Sequence, residues 1–163
     1  MNIAIIGDTH VKNRLDRLRR FLEENIQGFD LIIHVGDILS EEALDLIESF
    51  NNTVAVYGNN DKDPIRKRIS EKEILNIENY KIGVFHGSGK EKTTMERSYD
   101  AFLGEDMDII LFGHSHSPLI KTHKGVLMIN PGSPTHKRRE RLYSFAVLNI
   151  NKENIEATIK FFS

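Results

Sequence analysis

Apolar positions along the chain gather in short blocks that stop abruptly at polar residues. Residues 3–6 run into Gly7-Asp8, residues 31–35 into Gly36-Asp37, and residues 53–57 into Gly58-Asn59. Runs of this length bounded by turn residues predict buried strands. Leu15, Leu18, Phe21, Leu22 and Ile26 recur at helical spacing and predict a helix over 15–26. A second helix is predicted over 41–50, with Ser40 as its N-cap. Strand, helix, strand, helix, strand in this order predicts right-handed crossovers and a parallel sheet.

Beyond residue 70 the pattern changes. Residues 74–77 and 81–85 predict a hairpin turning at Glu78-Asn79, the second strand running into His86-Gly87. A helix is predicted over 94–103, then a buried strand over 109–112 that ends in Gly113-His114. Residues 120–122 and 126–129 predict a hairpin with Gly125 in its turn, and residues 143–150 and 155–162 predict another. No linker, repeat or low-complexity segment interrupts the 163 residues, so the expectation is one domain over 1–163.

Composition narrows the function classes. With 22 basic and 24 acidic residues the net charge is -2, which supplies no global attraction for nucleic acid or membrane. There are no cysteines, which excludes disulfides, thiolate metal sites and a cysteine nucleophile. The opening residues lack the pattern of a signal peptide, and no stretch approaches the ~18 apolar residues of a membrane span. A cytoplasmic location is expected.

The candidate chemistry sits at the strand ends: Asp8-Thr9-His10, Asp37, Asn59, His86 and His114-Ser115-His116. In α/β sheets ligands bind beyond the carboxyl ends of strands, so these scattered segments should meet in one cleft. Four imidazoles, two carboxylates and one amide suit Mn²⁺, Fe, Zn²⁺ or Ni²⁺ and are too nitrogen-rich for a Ca²⁺ cage. Seven donors exceed the need of one metal and suffice for two if a carboxylate bridges. Two dications held by two carboxylates keep a positive surplus for hydroxide and an anionic substrate. Paired metals roughly 3.5–4 Å apart can acidify a water and clamp phosphoryl oxygens.

In this order, DxH, GD, GNxD, a strand-end His and GHxH resemble the calcineurin-like metallophosphoesterases, in particular their small prokaryotic phosphodiesterase branch. The resemblance runs from Asp8 to about Ser133. It implies an α/β/β/α four-layer sandwich, with Asp8, His10 and His116 on one metal, Asn59, His86 and His114 on the second, and Asp37 bridging. Manganese is the first expectation for both. The implied activity is phosphodiester hydrolysis of a small phosphate ester by a metal-bound hydroxide, with Asp37, Asn60, Asp61 and His86 as the catalytic residues. The alternatives are a phosphomonoesterase or nucleotidase, or a protein-binding scaffold of the same fold. A dimer or tetramer is implied as well. Many relatives carry a His where this chain has Asn60. An amide can orient a phosphate oxygen but cannot serve as a general acid, so good leaving groups should be favoured.

Each signal has a plainer reading. Asp8, Asp37 and Asn59 are ordinary turn residues taken singly, and His86 fits a buried structural histidine. Only the joint pattern, with two imidazoles in GHSH, selects a metal site. His34 is expected to be structural, His123 a solvated hairpin residue, and His136 a surface residue with proton donation as its alternative. Asp61 is expected to support the site rather than only cap a turn. The run Lys137-Arg138-Arg139-Glu140-Arg141 reads first as a solvated loop, and alternatively as a clamp on a phosphate-rich substrate.

Overall fold

The computed structural model describes residues 1–163. In chain order it contains β1 (Asn2–Ile6), α1 (Asp16–Asn25), β2 (Leu31–His34), α2 (Glu41–Glu48), β3 (Thr53–Ala55), α3 (Asp63–Arg66) and β4 (Lys72–Ile77). There follow β5 (Tyr80–Phe85), α4 (Thr94–Asp100), β6 (Ile109–Leu111), β7 (Leu119–His123), β8 (Val126–Asn130), β9 (Tyr143–Ile150) and β10 (Ile155–Phe162). The strands fall where the apolar runs predict them. α2 starts as expected, because the Ser40 side chain accepts the Ala43 N–H at 3.2 Å. α4 begins with a capping box between Thr93 and Glu96 and is shorter than predicted, giving way to turns after Asp100. The four-residue α3, opened by Pro64, is absent from the sequence-based expectation because it is too short for a periodic signal.

Two five-stranded sheets stack face to face. The first has the order β10-β9-β1-β2-β3 and the second β4-β5-β6-β8-β7. β1, β2 and β3 are parallel as predicted, but β9 pairs antiparallel with β1, so the sheet is mixed. The second sheet is mixed too, its parallel β5, β6 and β8 flanked by antiparallel β4 and β7.

Alternation along the strands builds the layers. Ala4 and Ile6 of β1 and Ile32 of β2 face α1 and α2, packing with Leu18, Leu22, Leu44 and Ile47. Ile3, Ile5 and Ile33 point the other way and meet Ile82, Val84, Ile109 and Leu111 of the second sheet. On its far face, Ile110 and Met128 pack with Phe102 and Met107 next to α4. The result is the expected α/β/β/α sandwich, thin on the α4 side. No helix is long and apolar enough to cross a membrane.

Candidate metal centre

The loops after β1, β2 and β3 carry Asp8, His10, Asp37 and Asn59, and those after β5 and β6 carry His86, His114 and His116. All lie at one edge of the sandwich, where the sheets meet. Asp8, Asp37, His86 and His116 are buried at the bottom, and Asn59 and Asn60 are exposed at the mouth. The backbone makes tight reversals there. Gly36 has φ +99°, and a Cβ on it would lie 2.6 Å from His86 Nδ1. Only glycine lets β2 end so close to that imidazole.

Two groups of donors share one carboxylate oxygen. In the first, His116 Nε2 lies 3.3 Å and His10 Nε2 3.7 Å from Asp8 Oδ1, and the two Nε2 atoms are 3.2 Å apart. In the second, His86 and His114 stand edge to face with ring centroids 5.2 Å apart, and His114 Nδ1 is 3.0 Å from Asn59 Oδ1. Asp37 Oδ2 lies 3.4 Å from His10 Nε2 and 3.3 Å from His86 Nε2, between the two groups.

The deep donors are held ready for a cation. His86 Nδ1 donates to the Val35 carbonyl at 2.8 Å and His116 Nδ1 to that of His136 at 2.5 Å, which turns the lone pair of each Nε2 toward the cluster. Both oxygens of Asp8 and Nε2 of His86 are buried without a hydrogen-bond partner. Orphaned polar atoms of this kind are costly in a protein interior unless an ion satisfies them. Burial opposes charge on Asp37, but contact with His86 and two N–H donors of Asn60 hold its carboxyl well below the usual carboxylate range. Burial likewise opposes a charged His86, yet Asp37 and Asp8 raise its pKa above the ordinary imidazole value. The field at that nitrogen favours a positive charge. Burial lowers the pKa of His114 and of His116, which keeps those imidazoles neutral as metal ligation requires. The residues therefore fit divalent metal ions.

The supporting residues divide by contact. Asp61 lies beneath the site, and its two oxygens accept the backbone N–H groups of Asp37, Ile38, Leu39 and Gly58 at 2.8–2.9 Å. Its carboxylate is occupied by the loops, which makes it a positioning residue rather than a group facing the substrate. Asn60 donates from Nδ2 to Asp37 Oδ2 at 2.7 Å and from its backbone N–H to Oδ1 at 2.9 Å. His34 is structural: its Nδ1 accepts the Gly36 N–H at 3.1 Å, its Nε2 meets Thr9 Oγ1 at 3.1 Å, and burial lowers its pKa to about 3. His123 is half-buried and edge-on to Tyr99, with ring centroids 5.0 Å apart, so it is less solvated than expected. His136 is exposed, as expected, but its ring stands 5.0 Å from that of His10 and 5.3 Å from that of His116. Ligand atoms of these three histidines lie within 4.8 Å of one another. His136 is thus both at the surface and beside the site, where the loop after β8 folds back.

Comparisons with known proteins place the chain in a family. The profile of the calcineurin-like phosphoesterase superfamily domain matches residues 1–153. A probable metallophosphoesterase of Methanocaldococcus jannaschii is 38% identical over 140 residues, covering 85% of this chain and 70% of that protein. A phosphodiesterase of the same organism is 30% identical over 145 residues, covering 81% of this chain and 83% of its own. Among solved structures, wild-type Vps29 complexed with zinc, from Entamoeba histolytica, superposes with a TM-score of 0.74 at 24% identity, covering 100% of each chain.

Proposed function

Because the chain belongs to the calcineurin-like phosphoesterase superfamily, we propose that it is a phosphodiesterase dependent on two divalent metal ions, with residues 1–163 forming one catalytic domain. The observation that carries this reading is the buried trio of unpartnered atoms, Asp8 Oδ1, Asp8 Oδ2 and His86 Nε2, around a carboxylate within reach of both donor groups. In the proposed assignment Asp8, His10 and His116 hold one ion, Asn59, His86 and His114 hold the other, and Asp37 is shared. When bound, such ions supply Lewis acidity toward phosphoryl oxygens and a water acidic enough to act as nucleophile near neutral pH.

The chain's own residues supply the rest. Val35 and His136 carbonyls fix the tautomers of His86 and His116, and Asp61 fixes the backbone that presents Asp37. Asn60 is exposed at the mouth and its amide donates to Asp37, and in this reading its remaining N–H orients a phosphoryl oxygen. It cannot protonate a leaving group, so esters with acidic leaving groups should turn over best. The phosphodiesterase among the relatives lends weight to diester over monoester hydrolysis.

The test is hydrolysis of bis-p-nitrophenyl phosphate and of p-nitrophenyl phosphate by chelator-treated protein, with Mn²⁺, Ni²⁺, Zn²⁺ or Fe²⁺ restored in turn. Metal-dependent cleavage that prefers the diester is the expected outcome. Preference for the monoester would move the assignment to phosphatases, and metal binding without turnover of either ester would sink it.

A further inference from the structure

Beside the metal centre lies a second cleft, of about 470 Å³, lined by Ser115, Ser117, Lys137, Arg138, Arg139 and Glu140. We propose that this cleft is an anion subsite, and that it selects small phosphate esters carrying a second phosphoryl group beyond the one hydrolysed. This rests on the phosphodiesterase reading and names the substrate class for it.

Position ties the cleft to the reaction. Ser115 stands between the two imidazoles of GHSH, and the basic run follows His136 directly. The His136 carbonyl, directly before Lys137, accepts from His116 Nδ1 at 2.5 Å, which joins the lining of the cleft to the metal centre.

Chemistry identifies the ligand. No apolar or aromatic side chain lines the cleft, so it offers a nucleobase no aromatic stacking surface. Three cations face one carboxylate there, which leaves an excess of positive charge. Lys137 is engaged, its Nζ donating to the Arg141 carbonyl at 2.7 Å and lying 4.8 Å from the centre of the Tyr143 ring. Glu140 accepts the Ser117 hydroxyl at 2.7 Å. Arg138 and Arg139 form no ion pair or side-chain hydrogen bond, so both guanidinium forks are free for a phosphate. Ser115 Oγ accepts from Asn130 Nδ2 at 2.9 Å and from the Ser117 N–H at 3.3 Å, so its own proton remains to donate.

The segment immediately before the arginines is anchored. Residues 130–135 are buried, Ser133 Oγ donates to the Asp8 carbonyl at 2.8 Å, and Thr135 Oγ1 donates to that of Thr9 at 2.7 Å. Arg138 itself holds φ 50°, an uncommon conformation for a residue with a side chain. A backbone tied down this close to the arginines loses less entropy on capturing an anion than a mobile loop does.

Two matched esters test the proposal: thymidine 5'-(p-nitrophenyl phosphate) and the same ester bearing a 3'-phosphate. The metal-loaded native protein should show a KM about tenfold lower for the doubly phosphorylated ester. Arg138→Ala/Arg139→Ala should bring that KM ratio close to one, and Arg138→Lys should retain part of it. Calorimetric titration of the chelator-treated protein with inorganic pyrophosphate provides a readout free of catalysis. Binding by the native chain that weakens about tenfold in the double variant is expected. Equal KM ratios, or pyrophosphate binding unaffected by the double variant, would overturn the subsite. Tighter binding of a short single-stranded oligonucleotide than of pyrophosphate would overturn the small-ligand assignment in favour of nucleic acid. If neither ester turned over, the phosphodiesterase reading would fail, and the pyrophosphate titration alone would decide the subsite.

Discussion

Asp8, His10, Asp37, His114 and His116 all hold the left-handed backbone conformation, with φ between 49° and 67°. Asp and His tolerate this region better than most residues, but each non-glycine position there still costs about 1–3 kcal/mol. Something must hold them, and for Asp37 it is Asp61, whose carboxylate gathers four backbone N–H groups from the two loops that flank the site. Asp61→Asn exchanges one acceptor oxygen for an amide that confronts N–H donors. Metal affinity and turnover of bis-p-nitrophenyl phosphate should each fall ~10–100-fold, with the far-ultraviolet circular dichroism unaltered. Affinity and turnover within twofold of the native protein would show that the loops hold Asp37 without this carboxylate. The proposed ligands themselves were legible in the sequence because each follows an apolar run and a turn. The direction in which Asp61 points was not, since a buried carboxylate serving loop amides and one facing a substrate leave the same GNND pattern.

At the scale of elements, the strands were legible and their partners were not. Residues 143–150 and 155–162 announce a hairpin, but nothing local says that β9 pairs with β1 in the first sheet. The loop from Asn130 to His136 shows the same limit. In sequence it is a turn-rich connection, whereas in the structure it is a buried strap between the second sheet and the site. Ser133 Oγ is its main tie, donating to the Asp8 carbonyl and accepting the Thr135 and His136 N–H groups at 3.3 and 2.8 Å. Ser133→Ala leaves these buried groups unpaired, at a cost of about 1–3 kcal/mol. A urea midpoint lowered accordingly, with the slope unchanged, is the expected outcome. A midpoint that does not move would mean that Ser133 adds nothing to the hold of the strap.

At the scale of the molecule, the donors come from both sheets: Asp8, His10, Asp37 and Asn59 from the first, His86, His114 and His116 from the second. Between those sheets lies an apolar layer that includes Ile5, Ile33, Val84 and Leu111, and its close fit is what brings the two ligand groups together. A metal ion held across this seam should act as a clamp on the sandwich, because the unfolded chain offers it no such array. At a hundredfold excess over its dissociation constant, one such ion stabilises the folded state by about 2.7 kcal/mol. For a domain of this size, that raises Tm by about 5–10 °C. Thermal unfolding of chelator-treated protein with increasing Mn²⁺ measures the effect. Asp8→Asn, which alters a ligand on the first sheet, and His116→Ala, which removes a ligand of the same ion on the second, should each reduce the rise. If both variants kept the full shift, the ions would be binding elsewhere on the surface and the seam would not be the metal site. A shift lost in one variant alone would place the stabilising ion on one sheet and remove the clamp.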